Sequence, residues 1–414
     1  MCDTLYFAPG RLFGKNSDRN PAEPQTLVLV PKGETPEGPS LAFALSKPSW
    51  MTGGEMGINE AGVAMGNEAV FSKYKPAKDG VLGMEILRKA LARERTAKEA
   101  LEFICAFVET HDQGGNGAYK GSLYYDNSYL IADPNEAYVL ETAGRRWAWR
   151  AAAPRDAISN CYCIQEDYKR LDVQTRKEIA PVNERAACSD EADPGRKGEK
   201  ESFKAHVENP FYLRFSKAEI RRSHALSLLS ELKAPKAQAS SLTLPFFDIL
   251  RSHGNFDPRA RFFKNMESLC VHEGLLPPVS ASTASMAVQY KGQSGAVLWF
   301  SGTSYPCISL YKPLLLAGGT FYPLWKAYSY VEGAEAATAY WQRFRDWTVR
   351  SKAGGPKCLD QAFKAARDQA QEALVLIADR AWESLSEKGD TVALSVLAQE
   401  AGAVVAGWEK DCGL

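Results

Sequence analysis

The chain has 414 residues, with 50 Lys plus Arg, 50 Asp plus Glu and a formal net charge of zero. This length supports one large domain with an appendage, or two domains, and the charge balance argues against nucleic acid or an anionic membrane as a partner. No apolar run approaches the ~18 residues that span a bilayer. The N-terminus lacks the layout of a signal peptide. Nine scattered cysteines favour reduced thiols in a cytoplasmic protein.

The first residues carry the candidate chemistry. Cys2 follows Met1 directly, and removal of the initiator methionine would leave Cys2 with both a thiol and a free α-amine. A free thiol has a pKa of about 8.5 and an α-amine one of about 7.7–8.0, so part of the amine is unprotonated near neutral pH. Nucleophile and base then lie on one residue. The alternative interpretation is that Cys2 is an ordinary second residue.

The N-terminal third predicts strands joined by short turns. Residues 2–8 are typical of a buried strand, and the turn at Pro9-Gly10 predicts a hairpin that brings residues 14–19 back beside Cys2. Residues 25–30 and 41–45 predict two further strands. A turn at 59–62 predicts a second hairpin, whose later strand ends near Asn67, and side chains at strand ends commonly line a site.

The order of the elements favours an α+β fold. Residues 82–110 predict two helices, the second beginning at a capping box formed by Thr96 and Glu99. Strands follow at 122–150 and near 157–160, and the last core strands are predicted at 282–288 and 296–300. Runs of strands separated from runs of helices indicate layers rather than alternating βαβ units.

Two segments contain no candidate catalytic residues. Residues 165–208 are charged and poor in aliphatic side chains, which predicts an exposed, mobile insertion. Residues 357–387 and 391–409 show long helical patterns. Core packing or the subunit interface of a homo-oligomer is the expected role of this C-terminal segment.

Motifs in matching order along residues 2 to about 313 resemble the secernins and the related dipeptidase-A-type cysteine peptidases. The resemblance weakens within 165–208 and after 313. The motifs are Cys2-Asp3-Thr4, Phe13 to Arg19, Glu55-Met56-Gly57 with Asn59-Glu60 and Gly62-Val63, Gly66 to Val70, Gln113 to Asn116, Leu130 to Asp133 with Glu136-Ala137, Leu140 to Gly144, Ile158 to Asn160, Leu269 to His272, Thr283 to Met286 and Gly302-Thr303.

The resemblance implies a fold and an activity. The fold is the N-terminal-nucleophile hydrolase αββα sandwich, in which two antiparallel sheets lie between helical layers, with a helical C-terminal extension. We expect a hydrolase domain at 2–322, which contains the insertion, and a helical segment at 323–414. The implied activity is amide-bond hydrolysis without a cofactor. It is that of a dipeptidase acting on short peptides, with Cys2 as nucleophile and no nucleic acid or membrane partner.

The more distant bile-salt hydrolases and penicillin V acylases imply roles for further residues. Asp18 matches their aspartate that holds the nucleophile's amine, and Asn67 and Asn160 match asparagines around the oxyanion. Three basic residues are assigned to substrate binding or support. Lys15 stands where those acylases carry arginine, Arg19 is expected to form an ion pair with Asp18, and Arg221 matches a second site arginine.

Rival hypotheses remain open at this level. One rival is a non-catalytic, secretion-associated scaffold protein with the same fold. A second is an acylase that cleaves N-acyl amides instead of peptides, and the shape of the substrate pocket, which the sequence does not show, distinguishes it from a peptidase. Asn67 and Asn160 have an alternative interpretation as turn-capping residues. Five histidines without an H-E-x-x-H motif predict no metal site. Cys270 and His272, two residues apart, are predicted to be core.

Overall fold

The computed structural model describes residues 1–35, 38–179, 201–234, 242–255, 264–273, 280–293, 295–325, 329–330, 334–351 and 360–414. Within these ranges the strands, in chain order, are β1 Cys2–Phe7, β2 Leu12–Arg19, β3 Gln25–Val30, β4 Gly33–Thr35, β5 Gly38–Ser40, β6 Phe43–Pro48, β7 Met56–Asn59, β8 Ala64–Val70, β9 Asp126–Ala132, β10 Ala137–Ala143, β11 Arg146–Ala151, β12 Arg155–Ile158, β13 Arg170–Leu171, β14 Ala281–Tyr290, β15 Gly295–Phe300, β16 Lys312–Ala317, β17 Thr320–Pro323 and β18 Ser329–Tyr330.

The described helices surround these strands. They are α1 Gly83–Arg93, α2 Ala97–Thr110, α3 Val173–Ile179, α4 Phe203–Val207, α5 Pro210–Ser216, α6 Ala218–Glu231, α7 Thr243–Leu250, α8 Ala334–Ser351, α9 Gln361–Lys388 and α10 Thr391–Asp411. The predicted capping box is present at the start of α2, where the Thr96 hydroxyl accepts from Glu99 N–H and the Glu99 carboxylate accepts from Thr96 N–H.

The first sheet has seven antiparallel strands in the order β12-β1-β2-β14-β15-β16-β17. Strand β1 lies between β2 and β12. Its antiparallel pairing with β2 follows from the short link through residues 8–11, where Arg11 takes a left-handed φ of 54°. Helices α6 and α7 contact β1, β2, β12 and β14 of this sheet, and α9 contacts β16.

The second sheet has nine strands in the order β13-β11-β10-β9-β8-β7-β6-β3-β18, antiparallel except for the β18–β3 pair. Alternation along β9 shows how the layers form, because successive strand side chains point to opposite faces. Leu130 packs in the core shared with the first sheet, whereas Tyr129 and Ile131 pack in the core that includes residues of α1 and α2. The predicted α+β sandwich between helical layers is therefore confirmed.

The segment predicted as a mobile insertion has structured flanks. Residues 170–171 pair with β11, and α3 and α4 bury Ile179, Phe203 and Val207 in the main core. Aliphatic and aromatic side chains are sparse there, and several of those in the described flanks are used for packing, whereas Val173 is exposed. Residues 180–200 of the predicted insertion lie outside the described residues.

The predicted C-terminal helices are present as α9 and α10, which pack against each other. The described part of the chain has one helix long and apolar enough to cross a membrane by length and composition, Thr391–Asp411. One such helix is weak evidence for a membrane span, because core helices of soluble proteins can have the same length and composition. Buried Leu394, Leu397 and Ala401 join the core next to α9. The domain division at residue 322 stays a prediction.

Candidate active site

The β1–β2 hairpin brings the predicted nucleophile and its polar partners together. Cys2 pairs with Ser17 in the antiparallel register, so Asp18 comes level with Met1. Cys2 is 5 % exposed and Asp18 is 2 % exposed. The turn and strand pattern of the sequence therefore placed this cluster correctly.

Cys2 lies on the wall of a cavity of about 420 Å³. Asp18 and Asn67 share this wall, whereas the neighbouring β2 residue Lys15 does not line the cavity. The lining combines charged side chains with aromatic ones. The lining residues are Met1, Cys2, Asp18, Arg19, Asn20, Glu23, Glu55, Asn67, Ala69, Phe71, Gly117, Ala118, Tyr119, Lys120, Ser122, Leu123, Tyr125, Tyr212, Ser216, Met266 and Ser280.

Met1 extends β1 by one residue into this cavity. Its α-amine donates to the Asp18 carbonyl at 2.6 Å, and its own carbonyl accepts from the Asp18 N–H at 2.6 Å. An aminoacyl group with a free amine thus fits between Cys2 and Asp18. Removal of Met1 would free both backbone groups of Asp18 at the cavity wall.

Asn160 holds the backbone nitrogen of Cys2. Its Oδ1 accepts from Cys2 N–H at 2.7 Å and from Arg221 Nη2 at 2.9 Å, and its Nδ2 donates to the Ala69 carbonyl at 2.7 Å. Two donors on one side and an acceptor on the other fix the orientation of the amide. Asn160 therefore presents an acceptor to the nitrogen that would become the mature α-amine, a placement different from the oxyanion donor that the resemblance implied.

Arg221 is fully buried and ties this region to Asp3. Its Nε donates to Asp3 Oδ2 at 2.9 Å, and its Nη1 donates to the Met266 carbonyl at 2.9 Å. The Ser159 hydroxyl donates to Asp3 Oδ1 at 2.6 Å and accepts from Arg221 Nη2 at 3.1 Å. The Asp3 carboxylate raises the pKa of Arg221 although burial alone would lower it. The predicted arginine is thus a positioning residue beneath Cys2 rather than part of the cavity wall.

Electrostatics around the nucleophile depend on burial. Burial raises the pKa of the Cys2 thiol, and the positive charges of Lys15 and the N-terminus oppose that rise. Burial also raises the pKa of Asp18 to about 7, again against the charge of the N-terminus. Asp18 Oδ1 accepts from the Ser282 hydroxyl at 2.5 Å, whereas Oδ2 is buried without a hydrogen-bond partner in the described part of the chain.

Lys15 forms a buried ion pair that the sequence did not predict. Its Nζ lies 3.1 Å from Glu68 Oε1, both side chains are fully buried, and the Thr4 hydroxyl donates to the same oxygen. Burial raises the pKa of Glu68 to about 7, although Lys15 and Thr4 favour its charged form. Gly66 makes room for the pair, because a Cβ there would lie 2.7 Å from Lys15 Cδ and from Thr4 Oγ1.

Asn67 reaches the cavity from β8. One N–H of its Nδ2 donates to Asn127 Oδ1 at 3.0 Å, and Asn127 Nδ2 donates in turn to Gln113 Oε1 at 3.2 Å. An amide nitrogen carries two donors, so one N–H remains for another acceptor. The Asn67 Oδ1 is buried with no hydrogen-bond partner among the residues that the structure describes.

Arg19 does not pair with Asp18 as the sequence interpretation expected. It binds Glu23 through two nitrogens, at 2.6 and 2.8 Å, and Glu55 at 3.3 Å. Neighbouring residues of a strand project to opposite faces, which separates the two side chains. Both glutamates line the cavity.

Several supporting residues escaped sequence reasoning. Glu68 and Asp3 lie within the motifs that carry the resemblance, and the available signal for both was a charged residue within a buried strand. Ser282 and Asn127 had no local signal, since their partners lie 264 and 60 positions away along the chain. The arrangement as a whole offers a thiol, a held backbone nitrogen, a carboxylate and free amide donors.

The chain is similar in sequence to one protein family over part of its length. Residues 8–141 match the family described as acyl-coenzyme A:6-aminopenicillanic acid acyl-transferase, which is about a third of the chain. The matched range contains Lys15, Asp18, Arg19 and Asn67, and leaves Cys2 and Asn160 outside.

Three solved structures show distant likeness. Conjugated bile acid hydrolase from Clostridium perfringens, in its mutant C2A, is 12 % identical with a TM-score of 0.42, and covers 72 % of this chain and 88 % of its own. Penicillin V acylase from Agrobacterium tumefaciens is 10 % identical with a TM-score of 0.41, covering 81 % and 96 %. The Caenorhabditis elegans N-acylethanolamine-hydrolyzing acid amidase ortholog is 12 % identical with a TM-score of 0.33, covering 70 % and 92 %.

Proposed function

We propose that the protein, once Met1 is removed, is an N-terminal-nucleophile amide hydrolase that cleaves short peptides with Cys2. The Met1–Asp18 pairing carries this proposal. Met1 presents a free amine and a carbonyl to the two backbone groups of Asp18. The N-terminal residue of a dipeptide has the same two groups and would make the same hydrogen bonds in the space that Met1 leaves.

The first half of the reaction forms a thioester. The Cys2 sulfur attacks the peptide carbonyl while the thiol proton passes to the unprotonated Cys2 α-amine. Asn160 Oδ1, already 2.7 Å from that nitrogen, accepts one of its N–H bonds, and the unpaired Oδ2 of Asp18 is the second acceptor in reach of the site. The leaving amine then takes the proton from the α-amine, and the C–N bond breaks.

The second half hydrolyses the thioester. Water attacks its carbonyl, gives a proton to the α-amine, and the Cys2 thiolate leaves and recovers that proton. The negative oxygen of each tetrahedral intermediate would be bound by the remaining N–H of Asn67 and by the Asp18 backbone N–H that Met1 vacates. One such donor typically contributes 10²–10³-fold in rate.

An N-acyl amide acylase is the second candidate. Phe71 and Tyr212 stack with ring centroids 4.5 Å apart at the cavity wall, and Leu123, 42 % exposed, lies on the same wall. Such an apolar surface would suit an aliphatic or aromatic acyl chain, and the family match over 8–141 belongs to an acyl-transferase. In that case the Asp18 carbonyl would have no substrate amine to bind.

The test compares matched substrates on processed protein. Intact mass first establishes that the chain begins at Cys2. We then expect hydrolysis of dipeptides with apolar residues, at least tenfold slower cleavage of the N-acetylated dipeptides, and no cleavage of either by Cys2→Ala. Cys105→Ala, a buried cysteine on α2, is the matched control and should retain activity.

Two outcomes separate the alternatives. Faster cleavage of N-acylated substrates than of free dipeptides would replace the peptidase proposal by the acylase. Cleavage of neither class by protein that starts at Cys2 would refute the hydrolase proposal and favour the scaffold hypothesis.

A further inference from the structure

A second cluster of reactive side chains lies away from the cavity. His253 follows α7, Cys270 and His272 lie in the segment 264–273, and Cys307 lies in a 3-10 turn at 306–308. Their potential ligand atoms all lie within 4.8 Å of one another. Cys270, His272 and Cys307 are at most 7 % exposed, and His253 is half-buried. The sequence interpretation assigned Cys270 and His272 to the core and gave His253 and Cys307 no role.

Hydrogen bonding alone is a poor account of this cluster. The Nε2 of His272 lies 3.1 Å from His253 Nε2, 3.6 Å from Cys270 Sγ and 3.2 Å from Cys307 Sγ. A ring nitrogen has either one N–H or one lone pair. It therefore cannot satisfy three heteroatoms at once, whereas a cation at the centre would satisfy all four ligands.

The spacing agrees with tetrahedral zinc. With Zn–S near 2.3 Å and Zn–N near 2.0–2.1 Å, tetrahedral geometry places two nitrogens about 3.3 Å apart and a sulfur and a nitrogen about 3.6 Å apart. The observed separations of 3.1 Å between the nitrogens, and of 3.2 and 3.6 Å between sulfur and nitrogen, lie near those values. An S₂N₂ ligand set in this geometry is typical of zinc.

We propose that His253, Cys270, His272 and Cys307 form a structural zinc site. Four protein ligands close the coordination sphere, which is the arrangement of structural rather than catalytic zinc. Two thiolates balance the charge of Zn²⁺, so the buried site is neutral overall. On binding, the thiols lose their protons to solvent.

The site would join three loops behind the candidate active site. Val271, between two ligands, accepts from Ser282 N–H at 2.9 Å and donates its own N–H to the Ser282 hydroxyl at 2.9 Å. That hydroxyl donates to Asp18 at 2.5 Å. The ring of His272 also stacks on Tyr305 at 4.6 Å, next to the turn that holds Cys307. Zinc would therefore fix the segment that orients Asp18.

The experiment measures zinc in the full-length protein, produced with zinc in the medium and without a chelator. We expect about one zinc per chain by elemental mass spectrometry, and at least a tenfold lower content in Cys307→Ser and in His253→Ala. The matched control Cys105→Ser removes a buried thiol outside the cluster and should leave the zinc content unchanged.

A second measurement avoids variants that fail to fold. Wild-type protein stripped of metal should bind one Co²⁺, with thiolate charge-transfer and tetrahedral d–d absorption bands, and zinc should displace it. Wild-type protein with no stoichiometric zinc and no such Co²⁺ spectrum would overturn the proposal. A Cys270–Cys307 disulfide in the purified protein would also overturn it, as would a zinc content in the two ligand variants equal to that of wild type. None of these readouts depends on amide hydrolysis.

Discussion

Replacing Arg221 by leucine is the sharpest test of how the candidate site is held together. The guanidinium is fully buried and donates to Asp3, to Ser159, to Asn160 and to the Met266 carbonyl, at 2.9 to 3.2 Å. Leucine keeps much of the apolar volume and removes every one of these donors. Asp3, 1 % exposed, would then keep its negative charge in the core with the Ser159 hydroxyl as its remaining side-chain donor among the described residues.

The size of the effect follows from the uncompensated charge. Removing one partner of a buried ion pair costs about 3–5 kcal/mol of unfolding free energy. For 414 residues the unfolding entropy near the transition is about 0.9 kcal/mol per kelvin, so the Tm should fall by roughly 3–6 °C. Activity should fall as well, because Asn160 loses the donor that orients its amide.

The adjacent residue supplies the matched control. Arg222 is 25 % exposed, donates to the Ala157 carbonyl at 2.7 Å and lies 3.8 Å from Asp156. Arg222→Leu therefore removes the same charge from a partly solvated site, which costs about 1 kcal/mol or less and about 1 °C. Thermal and urea unfolding of both variants, followed by circular dichroism and by fluorescence, measure the difference.

A double variant tests whether the unpaired charge of Asp3 causes the loss of stability. Asp3→Asn combined with Arg221→Leu should be more stable than Arg221→Leu alone, because the unpaired carboxylate is gone. A Tm loss for Arg221→Leu no larger than that for Arg222→Leu, or a double variant that shows no recovery, would refute the reasoning.

Three further predictions concern the hairpin and its surroundings. Asn160→Ala should lower kcat by about 10²-fold or more with a smaller change in KM, because the mature α-amine that acts as general base loses the acceptor that orients it. An unchanged kcat on the best substrate would contradict this role. Asp18 has a folded pKa of about 7 against ~3.9 when unfolded, so it stabilises the fold below pH ~4 and that contribution is lost as the pH rises to ~7. Tm measured from pH 4 to 8 should therefore fall more for wild type than for Asp18→Asn, and parallel curves would contradict the pKa. Gly66→Ala should cost about 1–3 kcal/mol in urea unfolding because its Cβ would clash, whereas Gly402→Ala, with open space around its Cβ in α10, should be neutral or stabilising by up to ~1 kcal/mol.

Local patterns predicted most of the fold. Residues 2–8 and the turn at 9–10 gave the β1–β2 hairpin, and the capping box at Thr96 gave the start of α2. Each of these patterns involves only a few neighbouring residues, so a single sequence is enough to recognise it. The predicted catalytic residues Cys2, Asp18, Asn67 and Asn160 do converge, although their roles remain predictions.

Hydrogen-bond partners and metal ligands that lie far apart along the chain could not be predicted from the sequence. The orientation of Asn160 depends on Arg221 and Ala69, which lie 61 and 91 positions away. The ligands of the proposed zinc site are separated by up to 54 positions and show no local motif. Only the packing of loops against the first sheet brings such groups together.

The position of Met1 has a practical consequence for protein production. Because Met1 already extends into the cavity and pairs with Asp18, any affinity tag fused ahead of it has to leave through the opening that a substrate would use. Such a fusion also blocks formation of the free Cys2 amine. Recombinant material for functional work should therefore carry its tag after Leu414, which is half-buried and is not among the residues that line the cavity.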